Sequence, residues 1–436
     1  MTAKPALFPI LLAGVLLASP VIGAGAALRV QPERIEQHIM ELSAFGKNPE
    51  GGVSRVAFSQ ADLDARRYIG GLMNQAGLRV TVDAAGNLIG YREGSESLPP
   101  IMLGSHIDSV PGGGNYDGDV GVIGAIEAAR VLHQAGVSLR HPLEVVVFVD
   151  EEGGLTGSRA MSGQLGPEVL QEVSHSGLTV GEGILHLGGD PARLAEAERS
   201  TGDIAAYLEL HIEQGAVLDD EGLDIGIVTG IVGIKWWDII ITGVANHAGT
   251  TPMNKRHDAL LAAAELIQAV NRVIRQTPGN QVGTVGRIKA EPGAPNVIPG
   301  KVEMSLEIRD LSEAVMDSIY RQIEQEAAAI ATQAGVSIAF RPIPFDAVPA
   351  PTDERVRRLI GEAAKGLGLS SREMPSGAGH DAQDIARIAP IGMIFVPSVG
   401  GVSHSPKEFT KPDDMANGAN VLLQTLLSID AGELGQ

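Results

Sequence analysis

Short, very apolar runs recur along this chain, separated by helix-period segments, and several of them end in a histidine or an acid. Residues 101–103 lead into Gly104-Ser105-His106-Ile107-Asp108, followed by a glycine-rich turn at 111–118 and a helical pattern over 120–134. The next run, 143–149, stops at Asp150-Glu151-Glu152-Gly153; residues 207–212 carry His211, and a late run at 391–396 precedes His404. Strand, helix, strand in that order is a βαβ pattern. It predicts an α/β fold, a mostly parallel mixed sheet flanked by helices on both faces. In open sheets of this kind ligands bind beyond the carboxyl ends of the strands, which is where these residues fall.

Between 230 and 345 the rhythm changes. Residues 234–242, 282–288, 302–308 and 336–341 read as strands and 258–274 and 313–334 as helices. The βαββαβ order predicts a separate α+β domain at 230–345, inserted between the two parts of the first domain, 27–229 and 346–436. A chain of 436 residues with 44% hydrophobic and 20% charged content has material for two or three such cores.

Charge and cysteine content exclude other classes. A formal net charge of −20, with no compensating Lys/Arg cluster, repels nucleic acid and anionic lipid. The chain has no cysteine, so any metal must be held by imidazole and carboxylate; zinc, manganese, cobalt or nickel fit that donor set better than copper(I) or iron–sulfur. Residues 1–26 read as a signal peptide: Lys4, an apolar stretch over 6–18, and small residues at Ala24-Gly25-Ala26. Export to a bacterial periplasm follows, with an uncleaved membrane anchor as the alternative and no stable membrane span after cleavage.

The donors can be weighed one at a time. In His106-Ile107-Asp108 the two side chains share one side of an extended segment, so Asp108 can accept the proton on one imidazole nitrogen while the other binds metal. Asp117 stands before a helix, where a capping role competes with a bridging one. Glu151 and Glu152 are two acids at the end of an apolar strand, costly to bury without a cation or a proton to transfer, and pointing opposite ways. A solvated loop is the competing reading there. His211 has a core histidine as its alternative and His404 a loop histidine. Together, five ligands (His106, Asp117, Glu152, His211 and His404) with an acid beside the third point to a dinuclear metal hydrolase.

Several longer motifs carry a resemblance. Gly104-Ser105-His106-Ile107-Asp108-Ser109, Asp150-Glu151-Glu152-Gly153, His211-Ile212-Glu213-Gln214-Gly215, Asn246-His247-Ala248-Gly249-Thr250-Thr251-Pro252-Met253, Pro295-Asn296-Val297-Ile298-Pro299, Ser376-Gly377-Ala378-Gly379-His380-Asp381 and Ser403-His404-Ser405-Pro406 are similar, in order, to the N-carbamoyl-L-amino-acid hydrolase, β-ureidopropionase and allantoate amidohydrolase family. That family belongs to the wider group of dinuclear aminoacylases and metallopeptidases. The resemblance implies a homodimer whose inserted domain is both lid and dimer contact. It implies two divalent ions, zinc first, with His106, Asp117 and His211 on one, Asp117, Glu152 and His404 on the other, and Asp117 bridging. Glu151 is then the general base, taking a proton from water and returning it to the departing nitrogen. His247 donates to the developing oxyanion, in its own site or across the dimer in the partner's, Asn296 and Arg309 grip the substrate carboxylate, and Gln214 bonds the ureido group. Without the resemblance, Arg309 reads equally as an ion pair with Asp310, and His247 as structural. His380 receives no role.

The reaction implied is hydrolysis of N-carbamoyl-L-amino acids, a small ureido or amide substrate with a carboxylate, releasing ammonia, carbon dioxide and the amino acid. Allantoate is the near alternative, a dipeptidase or N-acyl-amino-acid deacylase the next, and a non-enzymatic periplasmic binding protein the last. One departure stands out: where many relatives have Arg-Phe soon after the acidic pair, this chain reads Gly153-Gly154-Leu155-Thr156-Gly157-Ser158-Arg159.

Overall fold

The computed structural model describes residues 28–435. In chain order the strands are β1 (Arg79–Val82), β2 (Leu88–Arg92), β3 (Ile101–His106), β4 (Leu143–Phe148), β5 (Ala206–Ile212) and β6 (Ile225–Ile231), then β7 (Gly233–Thr242), β8 (Asn246–His247), β9 (Val282–Thr284), β10 (Ile288–Glu291), β11 (Val297–Ile298), β12 (Lys301–Asp310) and β13 (Ser337–Ala347), and finally β14 (Ala350–Pro351), β15 (Ser371–Ser376) and β16 (Ile391–Val396).

The main sheet runs β1-β2-β4-β3-β5-β16-β6-β14, with β15 also paired to β6. Its centre, β4-β3-β5-β16, is parallel throughout, and its flanks add antiparallel pairs at β1/β2, β2/β4, β16/β6 and β14/β6. The central strands are buried from end to end and largely apolar because both faces are covered. In β4, Leu143, Val145 and Val147 face a core shared with the helices Pro32–Leu42, Asp119–Gln134 and Pro412–Asp430, while Val146 and Phe148 face the opposite core with Tyr207, Met393 and Ile385. Each such side chain, removed from water, contributes roughly 1.5–3 kcal/mol. This two-sided packing aligns the carboxyl ends of β3, β4, β5 and β16 along one edge.

The segment between β6 and β14 builds its own antiparallel sheet, β10-β12-β7-β13, with β9 beside β12. Strand β12 alternates: Val302, Met304, Leu306 and Ile308 are buried against Ile239, Ile241 and the helices Ala259–Gln276 and Glu313–Ala334, and the intervening residues face outward. The run expected over 282–288 is divided here between β9 and β10.

The placement in a periplasm, or on a membrane through an anchor, is corrected. It rested on a signal peptide at 1–26, which lies outside the described residues. Among the described residues no helix is long and apolar enough to cross a membrane; the longest, Glu313–Ala334, carries charge at Glu313, Asp317, Arg321, Glu324 and Glu326.

Candidate metal centre

Four strand ends deliver the donors. His106 closes β3, the acidic pair follows β4, His211 is the penultimate residue of β5, and His404 lies in the loop after β16. Asp117 is carried by the turn before the helix Asp119–Gln134, where Gly118 occupies the cap position and no side chain caps the helix. The carboxylate of Asp117 is therefore free to face the imidazoles. Gly118 has φ 69°, and a Cβ there would meet His106 Nε2 at 2.5 Å, so only glycine admits this close approach.

The two oxygens of Asp117 serve different neighbours. Oδ1 is 3.1 Å from His211 Nε2 and 3.6 Å from His106 Nε2, whereas Oδ2 is 3.2 Å from His404 Nε2. Glu152 Oε1 lies 3.5 Å from His404 Nε2, and Glu151 Oε2 3.7 Å from His106 Nε2. Two groups thus form around one shared carboxylate, His106-Asp117-His211 and Asp117-Glu152-His404, each compact enough to hold an ion.

The hydrogen-bond accounting fits cations. His106 Nδ1 is 3.0 Å from the backbone carbonyl of Asp108 and His211 Nδ1 2.9 Å from that of Ile212. A carbonyl only accepts, so each Nδ1 carries a proton, and Nε2 is the nitrogen left to bind a cation once it has no proton of its own. His106 Nε2, His211 Nε2 and Glu152 Oε1 are buried without hydrogen-bond partners among the described residues. Buried polar atoms are rarely left so. Electrostatics agree. Burial, then the neighbouring Asp117, pushes the Glu152 carboxyl up to about 7, and burial with Glu152 beside it raises Glu151 well above the usual range. Although burial opposes it, Asp117 is held well below its ordinary value by His106, His211 and His404, and His404 is lifted to about 9, chiefly by Asp117. Three acids and three imidazoles in one place are relieved by divalent cations.

Backbone strain concentrates here. Asp150, Leu155, Gln214 and His404 all have positive φ without being glycine, a cost of order 1–3 kcal/mol each that persists only where the surroundings impose it. Gln214 uses its conformation to place Nε2 2.7 Å from Asp117 Oδ2.

Other expected residues divide. The Asp108 carboxylate does not take the His106 proton: its Oδ1 is 3.8 Å from Nδ1. It accepts instead the backbone N–H groups of Glu151 and Glu152, at 3.3 and 3.2 Å, because the chain after β4 turns its amides toward it. Arg309 lines a cavity of about 410 Å³ together with Asp117, Glu151, Glu152, Gln214 and His404. Its partner is Glu307, two residues back on the same face of β12, and not Asp310. His247 and Asn296 are exposed and do not line this cavity. Nδ1 of His247 accepts the backbone N–H groups of Gly249 and Thr250, at 3.0 and 3.2 Å, leaving its proton on Nε2. His380 lines the cavity, its ring 4.4 Å from that of His211 and its Nε2 2.8 Å from Ser376 Oγ.

Glu408 is absent from the expectations. Its Oε1 accepts the backbone N–H groups of Tyr116 and Asp117, and its Oε2 those of His404 and the Ser403 hydroxyl. The one sequence signal is an acid four residues after His404 in a Ser-Pro turn.

Comparison with known proteins follows the same lines. Residues 102–428 match the family model described as peptidase family M20/M25/M40. An N-carbamoyl-L-amino acid amidohydrolase of Geobacillus stearothermophilus is 44% identical over 93% of this chain and 100% of its own. A ureidoglycolate hydrolase of Arabidopsis thaliana is 40% identical over 94% of this chain and 89% of its own. A crystal structure of an amidase of the hydantoinase/carbamoylase family from Burkholderia multivorans superposes with a TM-score of 0.84 at 36% identity, covering 92% of this chain and 98% of that one.

Proposed function

Because the chain belongs to the peptidase family M20/M25/M40, we propose that it is a metal-dependent amidohydrolase of linear amides whose substrates are N-carbamoyl-L-amino acids. The observation that carries this reading is the division of the Asp117 oxygens between two sets of imidazoles whose Nε2 atoms include two buried and unpartnered. Support for the substrate class comes from the relatives' names, since 44% identity extends over nearly the whole chain.

His106, Asp117 and His211 would hold one divalent ion and Asp117, Glu152 and His404 the second. Ions bound there supply Lewis acidity toward the carbonyl and lower the pKa of water. The remaining work falls to the protein. Glu151 takes the proton of the attacking water and hands it to the departing nitrogen. Asp108 fixes Glu151 and Glu152 through their backbone amides. Gln214 holds Asp117 by its amide nitrogen and has a buried Oε1 without a partner among the described residues, an acceptor for a ureido N–H. Arg309 keeps two of its five N–H groups for the substrate carboxylate, after two go to Glu307 and one to the Gly377 carbonyl.

The insert over 230–345 acts as a lid and dimer contact. On this reading His247 and Asn296, exposed in one chain, complete the site of a second copy, with His247 Nε2–H as the donor to the developing oxyanion.

The test is ammonia release by the full chain, reconstituted with zinc, manganese or cobalt, from N-carbamoyl-L-amino acids, allantoate, ureidoglycolate, N-acetyl-amino acids and dipeptides. Turnover of the carbamoyl compounds that stops on chelation is the expected result. Cleavage confined to dipeptides or acyl-amino acids would overturn it.

A further inference from the structure

We propose that the cavity beside the acidic pair recognises a second anionic group on the substrate through Arg159, so that preferred substrates carry a carboxylate on the side chain as well as at the α-carbon. This rests on the N-carbamoyl-amino-acid reading and narrows it to acidic amino acids.

Two arginines line the cavity, Arg159 and Arg309, and their electrostatic states differ. Arg309 is already matched: Nε and Nη2 sit on the two oxygens of Glu307 at 2.9 and 3.2 Å, and Nη1 on the Gly377 carbonyl at 2.8 Å. It can orient a carboxylate with its remaining N–H groups, but Glu307 cancels most of its charge. Arg159, in the helix Thr156–Met161, is half-buried, and its side chain has no ion pair or hydrogen bond among the described residues. A guanidinium kept partly out of water without an anion loses solvation uncompensated. A ligand carboxylate supplies the missing partner, and the planar fork suits it.

The rest of the lining is compatible with a distal anion. Asp117, Glu151 and Glu152 supply its acids, and Leu155, Ile234, Trp236 and Ala347 supply mostly apolar surface. With the acids engaged by the ions and Arg309 matched by Glu307, Arg159 is the lining arginine left to meet a side-chain carboxylate. A volume of about 410 Å³ is within the range of small-molecule sites. The apolar wall offers the competing outcome, a preference for uncharged side chains.

The discriminating substrates are isosteric: N-carbamoyl-L-glutamate against N-carbamoyl-L-glutamine, and the aspartate–asparagine pair, on the metal-loaded full chain. The acids should be favoured about tenfold or more in kcat/KM, mostly through KM. Arg159→Gln should bring the ratio toward one, and Arg159→Lys should retain part of it. A second arm needs no turnover: calorimetric binding of L-glutamate and L-glutamine to the metal-loaded Glu151→Gln protein, with and without Arg159→Gln. Tighter glutamate binding that disappears with Arg159 supports the proposal even if no carbamoyl compound is hydrolysed, in which case the amidohydrolase reading alone fails. Equal binding of acid and amide, or a ratio that Arg159→Gln leaves standing in a folded variant, would overturn it. If Arg159→Gln does not fold, the Arg159→Lys ratio and its fall with added salt decide the matter.

Discussion

Glu408 Oε1 accepts the backbone N–H of Asp117 at 3.1 Å. Its other oxygen accepts the backbone N–H of His404 at 3.2 Å, so one carboxylate, 4% exposed, sets the separation of two loops that each carry a donor. The packing leaves no slack: a Cβ on Gly114 would lie 2.0 Å from Glu408 Oε1.

Glu408→Gln should therefore weaken metal binding without unfolding the chain. An amide keeps one acceptor and turns a donor toward groups that themselves donate, the His404 N–H and the Ser403 hydroxyl. Losses of about 10- to 100-fold in affinity are typical when the partners of ligands are removed. Competition with a chromogenic chelator measures this; wild-type affinity would show that Asp117 and His404 hold their positions unaided.

Glu151→Gln and His404→Ala should separate proton transfer from metal holding. The first removes the base but none of the five residues of the two groups, so turnover should fall by about 10² to 10⁴ with metal content nearly unchanged. The second deletes a donor of the Asp117-Glu152-His404 group and should lower the occupancy of one ion. Elemental analysis beside the rate assay distinguishes them, and full activity of Glu151→Gln would remove Glu151 as the base.

Arg309→Lys should act on KM. Lysine keeps a charge but cannot hold Glu307, the Gly377 carbonyl and a carboxylate together. A rise in KM of about tenfold with a smaller change in kcat is expected. An unaltered KM would count against its carboxylate role.

What the sequence made legible follows burial. Strands β3, β4, β5 and β16 are covered on both faces and read as largely apolar runs, and the helix Glu313–Ala334 matches its expected span. Edge strands leave weaker traces. β1 is mostly exposed, and β15 reads Ser-Arg-Glu-Met-Pro-Ser, with charge and a proline in it. Four of the five candidate donors were visible because they lie at or beyond the ends of buried runs, whereas Asp117 stands before a helix. Glu408 was not, because it acts on backbone amides distant in sequence, and a pattern of residue types does not record where amides point. Asp108 was singled out for a different contact for the same reason: side-chain spacing suggested His106, whereas the turn after β4 brought two N–H groups to it.

Asp62 supplies a pH dependence away from the ligands. It is 1% exposed, Oδ2 accepts the Phe58 N–H at 2.9 Å, and Oδ1 has no hydrogen-bond partner among the described residues. Burial raises its carboxyl to about 6 from 3.8. A carboxyl raised on folding favours the folded state fully below the unfolded value, and that contribution is lost as pH rises through about 6. The loss amounts to about 3 kcal/mol at 1.36 kcal/mol per unit. Asp62→Asn keeps an acceptor for Phe58 and never ionises, so its apparent Tm should exceed that of the wild type at pH 8 and converge with it near pH 4. A gap independent of pH would show that Asp62 ionises without penalty.

The role of His247 across a dimer can be decided by complementation. It is exposed, its Nδ1 is occupied by the Gly249 and Thr250 amides, and its remaining proton sits on Nε2. A donor of that kind outside its own chain's cavity fits the proposed role in a second copy's site. Glu151→Gln and His247→Ala subunits should each be inactive as homodimers. Mixed in one dimer, they rebuild one complete site, with Glu151 from the His247→Ala subunit and His247 from the Glu151→Gln subunit. Random pairing in a symmetric dimer then returns about a quarter of wild-type activity. If His247 serves its own chain, neither site of the mixed dimer is whole and the mixture stays inactive. Recovery on mixing therefore measures directly whether the site is built from two chains.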